Sequence, residues 1–188
     1  MSETFSSMMP LGSKAPSFQL LNTVTNKMLS LEDLKIKKAL VVMFLCNHCP
    51  YVKHIKHRLI ELARDYETRG TTFIAINSND RKTYPEDGPE YMQEEAIANN
   101  YPFPYLYDET QEVAKAYQAE CTPDFFVFDA NLQCVYRGRF DDSTPGNRHI
   151  STGADLSQAL DALIQQNPIS QDQKASVGCN IKWKNPRF

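Results

Sequence analysis

A continuous apolar run from Ala39 to Leu45 ends abruptly at Cys46-Asn47-His48-Cys49. A run of this length without polar interruption is the pattern of a strand buried on both faces, as in a parallel sheet. Beyond it the period changes. Val52, Ile55, Leu59, Leu62 and Tyr66 recur at steps of three or four, which predicts a helix with one apolar face reaching about Thr68 and closed by Gly70. A second apolar strand over Thr72–Asn77 completes a βαβ unit with parallel strands.

The same reading extends to both sides of this unit. Phe18–Leu21 and Lys27–Leu29 flank a polar turn and predict a hairpin, followed by a capped turn at Ser30-Leu31-Glu32-Asp33. Ser78–Gly88 is polar and carries Pro85, so it predicts a loop. Asp87-Gly88-Pro89-Glu90 then starts a helix to about Ala98. Phe103–Tyr107 is a short aromatic strand, and Asp108-Glu109-Thr110-Gln111 a capping box before a helix through Val113, Ala114 and Tyr117. Phe125–Asp129 and Leu132–Phe140 predict an antiparallel hairpin. A last helix, capped over Thr152–Asp155, buries Leu156, Ala159, Leu160, Leu163 and Ile164. This order predicts one α/β domain with a central mixed sheet and helices on both faces. Residues 1–11 read as a flexible arm and 12–166 as the domain. Residues 167–188 read as a tail that packs back through Val177–Trp183, which holds the single Trp.

Composition narrows the function classes. A net charge of −3 in 188 residues gives no electrostatic basis for binding nucleic acid or an anionic membrane. No apolar run approaches the roughly 20 residues that span a bilayer. Met1–Pro10 lacks the basic start and apolar stretch of a secretory signal, so a cytoplasmic location is expected. Five cysteines in a reducing compartment point to redox or metal chemistry rather than a disulfide framework. Zinc needs four ligands, and only one C-x-x-C is present. No metal and no cofactor are expected.

The C-x-x-C lies where a strand turns into a helix. The first backbone N–H groups of a helix have no partner within it, and with the helix dipole they favour a thiolate. Cys46 is therefore expected to be the accessible nucleophile of depressed pKa, with Cys49, near the buried stripe, as the resolving thiol. Asn47 and His48 between them are supporting residues, His48 by adding positive charge near Cys46. Cys134 alternates with Leu132 and Tyr136 and reads as core. Cys179 in the tail is either an additional redox thiol or a packing residue.

These features resemble the thioredoxin-fold superfamily, in the branch related to alkyl hydroperoxide reductase and thiol-specific antioxidant (peroxiredoxin-like) proteins. The resemblance covers roughly residues 12–165. It is carried by Gly12-Ser13-Lys14-Ala15-Pro16-Ser17-Phe18, by Cys46-Asn47-His48-Cys49, and by Cys121-Thr122-Pro123 before Asp124–Asp129. It implies a thioredoxin-like fold with an N-terminal hairpin extension and an inserted helix near residues 89–98. It also implies a cis bond before Pro123 and a Thr122 whose backbone serves a bound substrate chain. Cys121 then lies near the C-x-x-C, as a third redox thiol or a small core residue. In the peroxiredoxin pattern Thr or Ser stands in place of Cys46, Cys49 is the peroxidatic thiol, and Arg stands in place of Pro123. Both departures favour thiol–disulfide exchange on a protein or small-molecule disulfide, with an unidentified electron donor or acceptor. The alternatives are a thiol peroxidase and a redox-inert binding module.

Overall fold

The computed structural model describes residues 3–184. In chain order the elements are β1 (Glu3–Phe5), β2 (Gln19–Asn22), β3 (Lys27–Ser30), β4 (Ala39–Phe44), α1 (Pro50–Thr68), β5 (Thr71–Asn77) and α2 (Pro89–Ala98). They continue with β6 (Tyr105–Tyr107), α3 (Glu112–Ala116), β7 (Cys121–Thr122), β8 (Asp124–Asp129), β9 (Cys134–Gly138), α4 (Ala154–Ile164) and β10 (Val177–Asn180). Seven strands form one mixed sheet in the order β3-β2-β6-β5-β4-β8-β9. The predicted βαβ unit is there, with β4 and β5 parallel and α1 crossing between them. The β2–β3 hairpin extends the sheet at one edge.

The unbroken apolar pattern of β4 has a direct cause. Its successive side chains point to opposite faces, and both faces are covered. Val41 and Met43 pack with Val52, Ile55, Leu59 and Leu62 of α1 and with Leu156 and Leu160 of α4. Leu40, Val42 and Phe44 pack with Val113 and Ala114 of α3, and with Met9, Phe18 and Leu31. Burying each large aliphatic or aromatic side chain contributes about 1.5–3 kcal/mol, so this strand anchors both layers.

Three local expectations give way. Part of the expected flexible arm, Glu3–Phe5, is a strand paired antiparallel with β10, and Met9 is buried; residues 1 and 2 lie outside the described residues. The tail supplies β10, the centre of a second sheet in the order β1-β10-β7. The capping box at Asp108–Gln111 does not form. Gln111 takes a left-handed φ of 65° at the start of α3 and turns its amide inward to the carbonyls of Ser78 and Lys182, 2.7 and 2.9 Å away. Likewise α4 begins after Gly153, at φ 71°, rather than from a Thr or Asp cap. A Cβ on Gly153 would sit 2.6 Å from Leu62 Cδ1 and 2.7 Å from Phe140 Cζ.

Candidate active site

The C-x-x-C turn leaves the C-terminal end of β4, and Pro50 occupies the first position of α1. Proline is favoured there because the missing N–H would have no helical partner and its φ is already helical. The residue before it is then the N-cap. Cys49, with extended φ −67° and ψ 123°, fills that position, so the helix terminus acts on Cys49 rather than on Cys46. Pro50 was the sequence signal for this, and it outranks the reading of Cys46 as the residue against the free amides.

The expectation of an exposed, acidic Cys46 is therefore corrected. Cys46 is 2% exposed and Cys49 is fully buried. Burial pushes the Cys46 thiol well up, helped by its hydrogen bond to Cys49 and the charge of Asp87. Cys49 moves the opposite way. Its hydrogen-bond contacts with the Cys179 and Cys46 sulfurs and with the Val52 amide outweigh its burial and shift it far below the usual thiol range. Cys179 is pushed up by that same hydrogen bond to Cys49 and by burial. All five cysteines are buried and none is in a disulfide. Of the three thiols Cys46, Cys49 and Cys179, Cys49 alone is shifted toward its ionised form.

Thr122 sits against both motif sulfurs. Its Oγ1 is 3.2 Å from Cys46 Sγ, and its carbonyl oxygen is 3.2 Å from Cys49 Sγ. The Thr122–Pro123 bond is cis, as the resemblance implied. The Thr122 backbone is not open to a visiting chain, however, because Cys179 of β10 is its partner in the β7–β10 ladder. Cys179 Sγ lies 2.8 Å from Cys49 Sγ across this junction. Cys121 faces elsewhere: its thiol donates to the Pro123 carbonyl at 3.8 Å, and burial pushes it up. Cys134 is buried in the layer with Phe126 and Phe128, the core position expected for it.

Asp87 is the site residue that pattern reasoning missed. It reads as a helix cap, yet Gly88 caps α2 and Asp87 is fully buried under the motif. Its Oδ1 accepts the Asn47 amide at 2.7 Å, and its Oδ2 lies 2.5 Å from His48 Nδ1 and accepts Asn79 Nδ2 at 2.8 Å. Burial opposes its ionisation, but the hydrogen bonds from His48, Asn79 and Asn47 win and hold it below the usual carboxylate range. Asn47 also donates from Nδ2 to the Glu86 carbonyl at 2.7 Å and accepts the Tyr105 hydroxyl at 3.0 Å. The His48 ring stacks on Tyr84, centroids 4.6 Å apart. Its Nδ1 is committed to Asp87, and its Nε2 is buried with no hydrogen-bond partner among the described residues. Cys46, His48 and Asp87 each bring one donor atom within 4.8 Å of the others, although the carboxylate is already shared among His48, Asn47 and Asn79.

Asp124, next to the cis proline, carries a pH dependence. It is fully buried, accepts Ser6 Oγ at 3.0 Å, and burial pushes its pKa up to about 7. An exposed aspartate ionises near pH 4. As pH rises from there, the unfolded chain releases this proton before the folded one does, so stability falls until about pH 7 and then levels off. Asp124→Asn should remove that decline. Urea midpoints at about pH 5 and pH 7.5 should show the wild type losing roughly 2–4 kcal/mol relative to the variant across the window. A constant difference between the two proteins would count against the assignment.

A family model described as AhpC/TSA matches residues 11–137. The chain belongs to the AhpC/TSA family. No curated protein matches it. Among solved structures, it is similar to an uncharacterized conserved protein from Geobacillus kaustophilus, at 55% identity with a TM-score of 0.97, over 100% of this chain and 99% of the other. A hypothetical protein from Sinorhizobium meliloti 1021 is 43% identical with a TM-score of 0.94, covering 97% and 100% of the two chains. A thiol:disulfide interchange protein of the thioredoxin family from Chlorobium tepidum TLS aligns at 18% identity with a TM-score of 0.62, over 84% of this chain and 99% of that one; this likeness shows the fold. The AhpC/TSA chain has a thioredoxin-like fold, and family and fold together support a redox function. No helix among the described residues is long and apolar enough to cross a membrane.

Proposed function

We propose that this AhpC/TSA-family protein is a thiol–disulfide oxidoreductase acting on disulfides of proteins or small molecules. The observation that carries the reading is the placement of Thr122, beside the cis proline, within 3.2 Å of both motif sulfurs. Cys49 is the nucleophile in this reading, because it fills the N-cap of α1 and is the thiol of the cluster shifted toward ionisation. Its sulfur bonds to one sulfur of the substrate disulfide, and the other leaves as a thiolate. A neighbouring thiol of the protein then attacks Cys49, closes an internal disulfide and releases the second substrate thiol. Two electrons pass from the protein dithiol to the substrate, and a dithiol donor restores the protein. Asp87 positions the turn by holding Asn47 and His48. Stabilising the Cys49 thiolate favours the reduced protein and makes its couple more oxidising.

Titration against mixtures of reduced and oxidised glutathione tests this. One internal disulfide should form in a two-electron transition. No internal disulfide at any ratio would overturn the proposal.

One observation favours a second reading. Cys49, the thiol shifted toward ionisation, stands at the position that the peroxiredoxin pattern gives to its peroxidatic thiol. Peroxidase chemistry would form a Cys49 sulfenic acid, breaking the peroxide O–O bond and releasing an alcohol or water. Pro123 in place of the pattern's Arg leaves that chemistry less supported. Stopped-flow mixing with hydrogen peroxide discriminates: consumption faster than glutathione exchange, abolished by Cys49→Ser, would move the assignment to the peroxidase.

A further inference from the structure

We propose that Cys179 is the thiol that closes on Cys49, so that the oxidised protein holds a Cys49–Cys179 disulfide. This rests on the exchange reaction proposed above and names the residue that resolves it. The first support is contact: the two sulfurs are 2.8 Å apart, although 130 positions separate them in the chain. The second is that main chain, not side-chain chance, presents Cys179 there. The β7–β10 register sets Cys179 opposite Thr122 and Asn180 opposite Cys121. On its other side β10 pairs with β1, Glu3 opposite Cys179. Beyond Cys179, Ile181 N–H donates to the Glu120 carbonyl at 3.0 Å, and Lys182 N–H to Asn79 Oδ1 at 2.9 Å. Asn79 also binds Asp87, so one side chain links the tail to the C-x-x-C turn.

The third support is Gly178. A Cβ there would meet the Thr122 carbonyl oxygen at 2.1 Å and the Pro123 nitrogen at 3.2 Å. Only a residue without a side chain lets β10 lie this close to the cis peptide, and that approach brings Cys179 to Cys49. Cys46 is the competing thiol, and its Sγ lies 3.2 Å from Thr122 Oγ1. The tail therefore occupies the backbone edge that a substrate chain would otherwise use, and it brings its own cysteine with it.

The step balances as follows. The Cys49 thiolate displaces one substrate thiolate, R′S⁻, forming a Cys49–SR mixed disulfide. R′S⁻ takes the Cys179 proton. The Cys179 thiolate attacks Cys49 Sγ, the Cys49–SR bond breaks, and RS⁻ leaves to be protonated by water. The attack is intramolecular and needs little motion, since the two groups are already held together.

Reduced wild-type protein treated with oxidised glutathione, then alkylated in denaturant and digested, tests this by mass spectrometry. The expected product is the Cys49–Cys179 linked peptide pair, and the same pair, more slowly, in Cys46→Ser. In Cys179→Ser that pair is lost, and glutathione accumulates on Cys49 or the disulfide moves to Cys46–Cys49. A wild type that forms only Cys46–Cys49, with Cys179 fully alkylated, would overturn this inference while leaving the exchange reaction standing. Absence of any internal disulfide would overturn both. The wild-type measurement decides the matter even where a variant folds poorly.

Discussion

Cys49→Ser is expected to abolish disulfide exchange, lowering the rate with a small aromatic disulfide by about 10³-fold or more, the order lost when a covalent nucleophile is removed. Cys46→Ser should retain the first step. The reason lies in where the charge sits. A serine at residue 49 is not ionised near neutral pH, so the hydrogen bonds that Cys179, Cys46 and the Val52 amide direct at this position have no anion to stabilise. Cys46 cannot take over readily, because burial and the Asp87 charge push its thiol up. Measuring both variants by release of the aromatic thiol separates this from the opposite assignment of roles. A Cys46→Ser protein as inactive as Cys49→Ser would place the nucleophile at residue 46.

The second large effect is expected from Gly178→Ala. Added methyls are usually absorbed by a flexible neighbour, but here the obstacle is backbone, the Thr122 carbonyl 2.1 Å from the new Cβ. That backbone is itself held between the cis proline and the β10 ladder, so the strand must lift. We expect a loss of about 2–4 kcal/mol in unfolding free energy, within the range for overpacking at a rigid site. A thermal melt reads this as a midpoint lowered by roughly 5–10 °C. The lifted strand should also carry Cys179 away from Cys49 and slow closure of their disulfide. A Gly178→Ala protein with an unchanged midpoint and unchanged disulfide formation would show that β10 is not pressed on the cis peptide.

These two substitutions mark the boundary between what was legible in the chain and what was not. The strand–turn–helix at Ala39–Thr68 was readable because its signals are local: an unbroken apolar run, a change of period, and two cysteines at the junction. The family motif at Cys121-Thr122-Pro123 was readable for the same reason, and the cis bond it implied is present. Even the N-cap role of Cys49 was written beside it, in Pro50. Asp87 was not legible as a site residue. Its local setting before Gly88-Pro89 spells a helix cap, and only the folding of the 78–88 loop under the motif gives it Asn47, His48 and Asn79 as partners.

The amino-acid sequence by itself determined the mixed α/β core, the parallel crossing around α1, and the presence of a dithiol at the end of a buried strand. Periodicity and residue spacing encode such features within a window of a few turns. Only the tertiary structure decided which sulfur carries the charge and which partner it meets. Acidity in a buried cluster depends on hydrogen bonds and desolvation summed over groups distant in the chain. The tail's return to β7, which places residue 179 against residue 49, is a long-range pairing that no local pattern specifies.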